Sequence, residues 1–146
     1  MTKAIYFDMD GTIADLYAVE DWLPKLRAYD PSPYMDATPM LRLCSLAKRL
    51  NRLQKNGYTL GIVSWLSKDP NPSYGELVAE AKRAWLKKHL PSVSWDEIVI
   101  VPYGTPKASV VEFPQGILFD DEEPNRKNWI GTAYDVDAIL ANLATL

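Results

Sequence analysis

The sequence predicts a single α/β domain built around a five-stranded parallel sheet. Three observations carry that prediction. Five short apolar runs, at 3–7 (KAIYF), 58–63 (YTLGIV), 97–101 (EIVIV), 116–119 (GILF) and 131–134 (GTAY), are near-continuous rather than alternating, which is the pattern of strands covered on both faces. Segments with helical spacing fall between most of these runs, so strand and helix alternate as in a sheet with helical crossovers. The chain has 146 residues, enough for one buried core and too few for two independent ones.

Taken in order, residues 3–7 run directly into Asp8, with the Asp-Gly turn signal of Asp10 and Gly11 close behind. Residues 16–26 can form a short helix broken at Pro24, and the Pro-rich stretch 30–39 cannot continue it. The whole of 13–40 reads as a small, irregular insertion in a regular alternation, a lid candidate. Thr38 is placed to cap a helix starting at Pro39, whose positions Leu43, Leu46, Ala47, Leu50 and Leu53 follow helical spacing until Asn56-Gly57 stops it. The strand at 58–63 ends in Ser64, and a loop with Pro70 and Pro72 leads to a second long helix over about 73–89. Three more strands follow, and 135–145 closes the chain as a helix. The sequence shows no internal repeat, low-complexity tract or linker.

Composition narrows the classes. At 47% hydrophobic and 24% charged residues the chain is ordinary for a globular protein, which excludes fibrous and disordered classes. No apolar run approaches the roughly 20 residues that span a bilayer, and the chain opens almost at once on AIYF, so a cytoplasmic protein without a membrane role is expected. The net charge is -3 with basic residues dispersed, which argues against a stable nucleic-acid complex. The lone Cys44, in LRLCSLAKRL, reads as an apolar position of a helix with a packed thiol.

In an open parallel sheet the ligand site lies outside the C-terminal ends of the strands. The first strand ends in Asp8 and Asp10, the second in Ser64, the loop after the third carries Lys107, and the fourth ends in Asp120 and Asp121. Converging carboxylates repel one another unless a cation neutralises them, and hard oxygen donors select Mg²⁺. Lys107 and the Ser64 hydroxyl add a positive charge and a donor suited to a phosphate dianion. Each piece has a plainer reading on its own: Asp10-Gly11 as a turn, Asp120-Asp121 with Glu122 and Glu123 as a helix N-terminus, Ser64 as a strand-end hydroxyl, Lys107 as a solvated lysine. Their joint placement at one sheet edge favours metal plus phosphate.

These residues resemble the haloacid dehalogenase superfamily, whose phosphatases carry DxDG(T/V) after the first strand, Ser or Thr after the second, a later Lys or Arg, and an acidic pair after the fourth. Here the motifs are FDMDGT at 7–12, IVS at 62–64, Lys107, and LFDD at 118–121. The resemblance covers 1–15 and 40–146 and implies a Rossmann-like, three-layer sandwich with strand order 5-4-1-2-3. It implies that Asp8 attacks phosphorus to form an aspartyl-phosphate, and that Asp10 protonates the leaving group and then activates water. It further implies Mg²⁺ on Asp8, the backbone carbonyl of Asp10, and Asp121, with Asp120 either direct or through water, and phosphate held by Ser64, Lys107, Gly11 and Thr12. An acid at position 10 favours phosphoryl transfer over carbon-halogen cleavage. Many members place a further acid four residues after the metal-binding Asp; Asn125 stands there, in a supporting role.

Specificity in that superfamily comes largely from insertions, and 13–40 contains Tyr17, Trp22, Tyr29 and Tyr34. These aromatics either stack on a nucleobase, in keeping with a resemblance to small 5'(3')-deoxyribonucleotidases, or form the miniature core of the lid. Trp65 borders the phosphate site or fills a lid contact, and His89, at a helix C-terminus, is structural. The expected substrate is a small phosphate ester, with a nucleoside monophosphate leading. A phosphate on a protein or nucleic-acid end, and a non-catalytic binding module, are the alternatives. Either a monomer or a homodimer is consistent with the sequence.

Overall fold

The first apolar run becomes the centre of the sheet. A computed structural model of the chain describes residues 2–146. In chain order its elements are β1 (Ala4–Phe7), β2 (Ala14–Asp15), a 3-10 turn at Leu16–Ala18, α1 (Trp22–Arg27), α2 (Ser32–Asp36), β3 (Thr38–Pro39), α3 (Leu43–Lys55), β4 (Thr59–Trp65), α4 (Pro72–His89) and β5 (Glu97–Val101). A 3-10 turn at Lys107–Ser109 then leads to β6 (Ile117–Phe119), α5 (Glu123–Lys127), β7 (Thr132–Tyr134), a last 3-10 turn at Val136–Ala138 and α6 (Ile139–Leu143). The five long strands form one parallel sheet in the order β5-β4-β1-β6-β7. Read from the other edge, this is the expected 5-4-1-2-3 arrangement of the five apolar runs.

Side chains on β1 alternate between two cores because successive residues of a strand point to opposite faces. Ile5 and Phe7 pack with Leu46, Leu50 and Leu53 of α3, Trp85 and Leu86 of α4, and Ile139 and Leu143 of α6. Ala4 and Tyr6 turn the other way, toward Val63, Leu118 and Trp129. That second layer is thin: residues 107–113 and Trp129, just past α5, cover it, and the Trp129 indole donates to the Gly116 carbonyl at 2.9 Å.

Both long helices are bounded as their sequences dictate. Asn71 caps α4 by accepting from the Tyr74 amide at 3.0 Å, with Pro72 at the first helical position. Gly57, at φ 95°, ends α3: its amide bonds to Gln54 and the Tyr58 amide to Leu53, the paired closure that a left-handed residue permits. The closing segment 135–145 divides into the 3-10 turn and α6, because Ala138, at φ -139° and ψ 36°, departs from helical geometry between them.

Several expectations within 13–40 are corrected. Pro24 does not break a helix; it lies in the first turn of α1, where its missing N–H would have no helical partner. The Pro-rich stretch is not wholly irregular, since Pro33 is accommodated in the same way in α2. Thr38 does not cap a helix from Pro39: both residues form β3, antiparallel to β2, with Thr38 opposite Asp15 and Pro39 opposite Ala14. Helix α3 therefore begins at Leu43, after Arg42 and without a side-chain cap. Cys44 is exposed rather than packed, because Leu46, Leu50 and Leu53 define the buried stripe and position 44 lies to one side of it.

Candidate active site

Backbone pairing at the C-terminal ends of the central strands assembles the acids. The Asp8 amide donates to the Phe119 carbonyl and the Asp120 amide to the Tyr134 carbonyl, so β1 and β6 deliver their first post-strand residues to one edge. Behind Asp8 the chain turns tightly around the Met9 carbonyl, which accepts from the amides of Thr12, Ile13 and Ala14 at 3.0 Å each. Gly11 takes φ 80° in that turn, and a Cβ on it would overlap the Asp121 carboxylate. Its amide donates to Ala14.

One carboxylate oxygen from each of Asp8, Asp120 and Asp121 lies within 4.8 Å of the others. The Lys107 ammonium, buried at 5% exposure, bridges Asp8 Oδ1 at 2.9 Å and Asp120 Oδ2 at 2.7 Å. Thr12 Oγ1 donates to Asp8 Oδ2 at 3.0 Å and accepts from the Asp121 amide at 3.3 Å, tying the first motif to the last. Asn125 Nδ2 donates to Asp120 Oδ2 at 3.2 Å. With their amides engaged inside the loop, Gly11 and Thr12 shape the carboxylate cluster.

Asp10 points elsewhere. Its Oδ2 accepts from Lys82 Nζ at 2.8 Å, and the same ammonium donates to Ser64 Oγ and to the Trp65 carbonyl, both at 2.6 Å. Ser64 lies inside β4 and is buried at 1% exposure. Lys82 belongs to α4 and was not singled out by sequence reasoning. The available signal was its spacing: Tyr74, Val78, Lys82, Trp85 and Leu86 share the buried stripe of α4, and a lysine in such a stripe requires a partner.

Burial is the first cause of the carboxylate shifts. It raises Asp121 to about 8, with the Asp8 charge next, and raises Asp120 to about 6 in the same way despite Lys107. Burial also raises Asp10, against the opposing pull of Lys82. For Lys107 burial works downward, but the Asp8 and Asp120 charges outweigh it and hold the ammonium above its ordinary value. Four carboxylates (Asp8, Asp10, Asp120, Asp121) face two ammonium groups (Lys82, Lys107). With all four ionised the excess would be two negative charges, the charge of one divalent cation, and the donors are hard oxygens. The cluster fits Mg²⁺.

The site opens into a cavity of about 540 Å³. Asp8, Asp10, Lys107 and Asp121 line its floor, and Tyr17, Trp22, Trp65 and Tyr103 line its walls. The aromatics of the insertion divide between its packed interior and the cavity wall. Tyr34 is buried with Leu16, Tyr74 and Val78, and Tyr29 packs on Tyr74 while its hydroxyl donates to Asp69. Tyr17 and Trp22 pair edge-on at the cavity, with ring centroids 5.1 Å apart. Trp65 donates its indole N–H to the Thr105 carbonyl and packs on Tyr103, with the Lys107 ammonium 5.3 Å from its ring centre. His89 packs its ring on Trp85 at the end of α4, and burial lowers its pKa.

Among solved structures, the chain is similar to D,D-heptose 1,7-bisphosphate phosphatase from B. bronchiseptica, crystallised with magnesium and phosphate. The two share 13% identity over 90% of this chain and 78% of that one, with a TM-score of 0.55. The chain has the haloacid dehalogenase fold. A heptose bisphosphate phosphatase from Burkholderia thailandensis matches at 12% identity over 86% of this chain and 70% of that one, with a TM-score of 0.49. No family model and no curated protein matches the sequence. Among the described residues of this haloacid dehalogenase-type fold, no helix is long and apolar enough to cross a membrane.

Proposed function

We propose that the chain is a Mg²⁺-dependent phosphatase that cleaves phosphate monoesters through a covalent phosphate on Asp8. The reading rests on one observation: carboxylate oxygens of Asp8, Asp120 and Asp121 converge within 4.8 Å at the edge of a cavity that Asp8, Asp121 and the buried Lys107 line. The B. bronchiseptica enzyme of like fold was crystallised with magnesium and phosphate, the two ligands that this reading assigns to the cluster.

An Asp8 carboxylate oxygen forms a bond to phosphorus as the ester P–O bond breaks, and Asp10 passes its proton to the departing alcohol oxygen. Asp10, now a carboxylate, then takes a proton from water. The water oxygen attacks phosphorus, the Asp8–phosphate bond breaks, and inorganic phosphate leaves with Asp8 restored. Burial raises the Asp10 pKa, which favours the protonated form needed at the start. Lys107 holds a phosphoryl oxygen and offsets the charge of the dianion. Asp8, Asp120 and Asp121, with the Asp10 carbonyl, would hold Mg²⁺, which offsets further charge when bound.

The walls suit a phosphate ester with a flat, partly apolar group. Tyr17 with Trp22, and Trp65 with Tyr103, offer two aromatic surfaces at the cavity, and Arg27 and Lys68 supply cations among its lining residues. A nucleoside monophosphate is the leading substrate, hydrolysed in the cytoplasm by a monomer or homodimer. The test is phosphate release from a panel of nucleotides, sugar phosphates and aryl phosphates with and without Mg²⁺, with Asp8→Asn as control. Mg²⁺-dependent release that the variant lacks supports the phosphatase reading, and equal release by both proteins sinks it. Turnover of sugar phosphates alone would remove the nucleotide.

A further inference from the structure

Lys82 is 1% exposed and makes three close contacts with acceptors, one for each ammonium proton: Asp10 Oδ2 at 2.8 Å, Ser64 Oγ at 2.6 Å and the Trp65 carbonyl at 2.6 Å. The Tyr34 ring centre of the insertion lies 5.1 Å from the same ammonium. The group is thus fixed by a helix, a sheet strand, the loop after β1 and the lid at once. A buried ammonium saturated in this way has no proton left for a substrate. Its effect has to pass through the residues it holds.

We propose that Lys82 is the positioning residue for Asp10, fixing which carboxyl oxygen carries the proton delivered to the leaving alcohol. An ammonium donating to Oδ2 occupies that oxygen as an acceptor, so the proton of a neutral Asp10 resides on the other oxygen. Asp10 itself lines the cavity beside Asp8. Rotation of its carboxyl group would break the 2.8 Å contact, so the proton donor is held in one orientation. Lys107 cannot do this, because its own contacts are to Asp8 and Asp120. The two buried lysines therefore divide the work, Lys107 for the nucleophile and Lys82 for the proton donor.

This inference rests on the phosphatase reading, and leaving groups separate the two. With 2,4-dinitrophenyl phosphate the departing phenolate needs no proton, whereas an alkyl phosphate such as thymidine 5'-monophosphate, or the sugar phosphate that replaces it in the panel, does. For Lys82→Met, kcat/KM on the alkyl phosphate is expected to fall about 100-fold and on the dinitrophenyl ester less than about threefold. Lys82→Arg, which keeps the charge with different reach, should show the same selectivity with a smaller loss. The rise in Tm on adding Mg²⁺ should persist in both variants, since Lys82 contacts none of Asp8, Asp120 and Asp121. Equal loss on both esters, loss of the Mg²⁺ shift, or absence of a cooperative melt in both variants overturns the assignment. A wild-type protein inactive on every ester overturns the phosphatase reading itself.

Discussion

Gly11 stands at φ 80° with the Asp121 carboxylate where a side chain would begin. Gly11→Ala carries the cost of a left-handed non-glycine residue, about 1–2 kcal/mol, and should lower Tm by roughly 3 to 8 °C. It should also weaken Mg²⁺ binding, because Asp121 has to move. A variant that melts and binds Mg²⁺ like the wild type would show that the loop has room. Cys44 provides a simpler check: its thiol should react with a thiol reagent in the native protein at a rate close to that of the urea-unfolded chain. At this scale the sequence was informative where motif and strand end coincided, as for Asp8, Asp120 and Asp121. It was silent on Lys82, whose helical spacing shows burial but not which carboxylate, 72 residues away, completes the pair.

Among the elements, α4 joins the sheet to the insertion. Trp85, fully buried, donates its indole N–H to the Ala37 carbonyl at 2.7 Å, where the lid returns to the main fold. Trp85→Phe keeps most of the packing and leaves that carbonyl unpaired, so it should cost about 1–3 kcal/mol. Urea unfolding should show the loss as a lower midpoint at unchanged m-value, and an unchanged midpoint would place the Ala37 carbonyl in contact with water. The long strands and helices were legible because apolar runs and helical stripes repeat over many residues. Helices α1 and α2 and the β2–β3 pair were not. They span two to six residues each; α1 and α2 pack against Tyr74 and Val78 far along the chain, and β2 and β3 form by pairing with each other.

For the molecule as a whole, the acid cluster sets a balance between folding, protons and metal. Asp121, raised to about 8, and Asp120, raised to about 6, both lie above the ordinary carboxylate value because of burial and the Asp8 charge. From about pH 4 up to about 8 these two groups therefore bind more protons in the metal-free folded chain than in the unfolded one, and their contribution to stability falls as pH rises through that window. Mg²⁺ takes the ionised carboxylates and offsets the loss. At a hundredfold excess over Kd it should contribute about 2.7 kcal/mol, or roughly 5 to 10 °C in Tm. The increase should be larger at pH 8 than at pH 5.5, and thermal melts with and without Mg²⁺ at the two values test it. Equal increases would mean that the ion binds away from this cluster.

The β2–β3 pair brings the two ends of the insertion side by side, with Ala14 opposite Pro39. A segment that leaves and returns through one narrow neck can be exchanged for a longer or shorter one without altering the path of the chain through Asp8. Its footing, however, is on α4, where Tyr34 rests against Tyr74 and Val78 and faces Lys82. A lid grafted at this neck will need a matching surface on α4, and one that arrives without an aromatic ring at position 34 opens Lys82 to water. Change in the insertion and change on one helix face are thus coupled in the architecture of this protein.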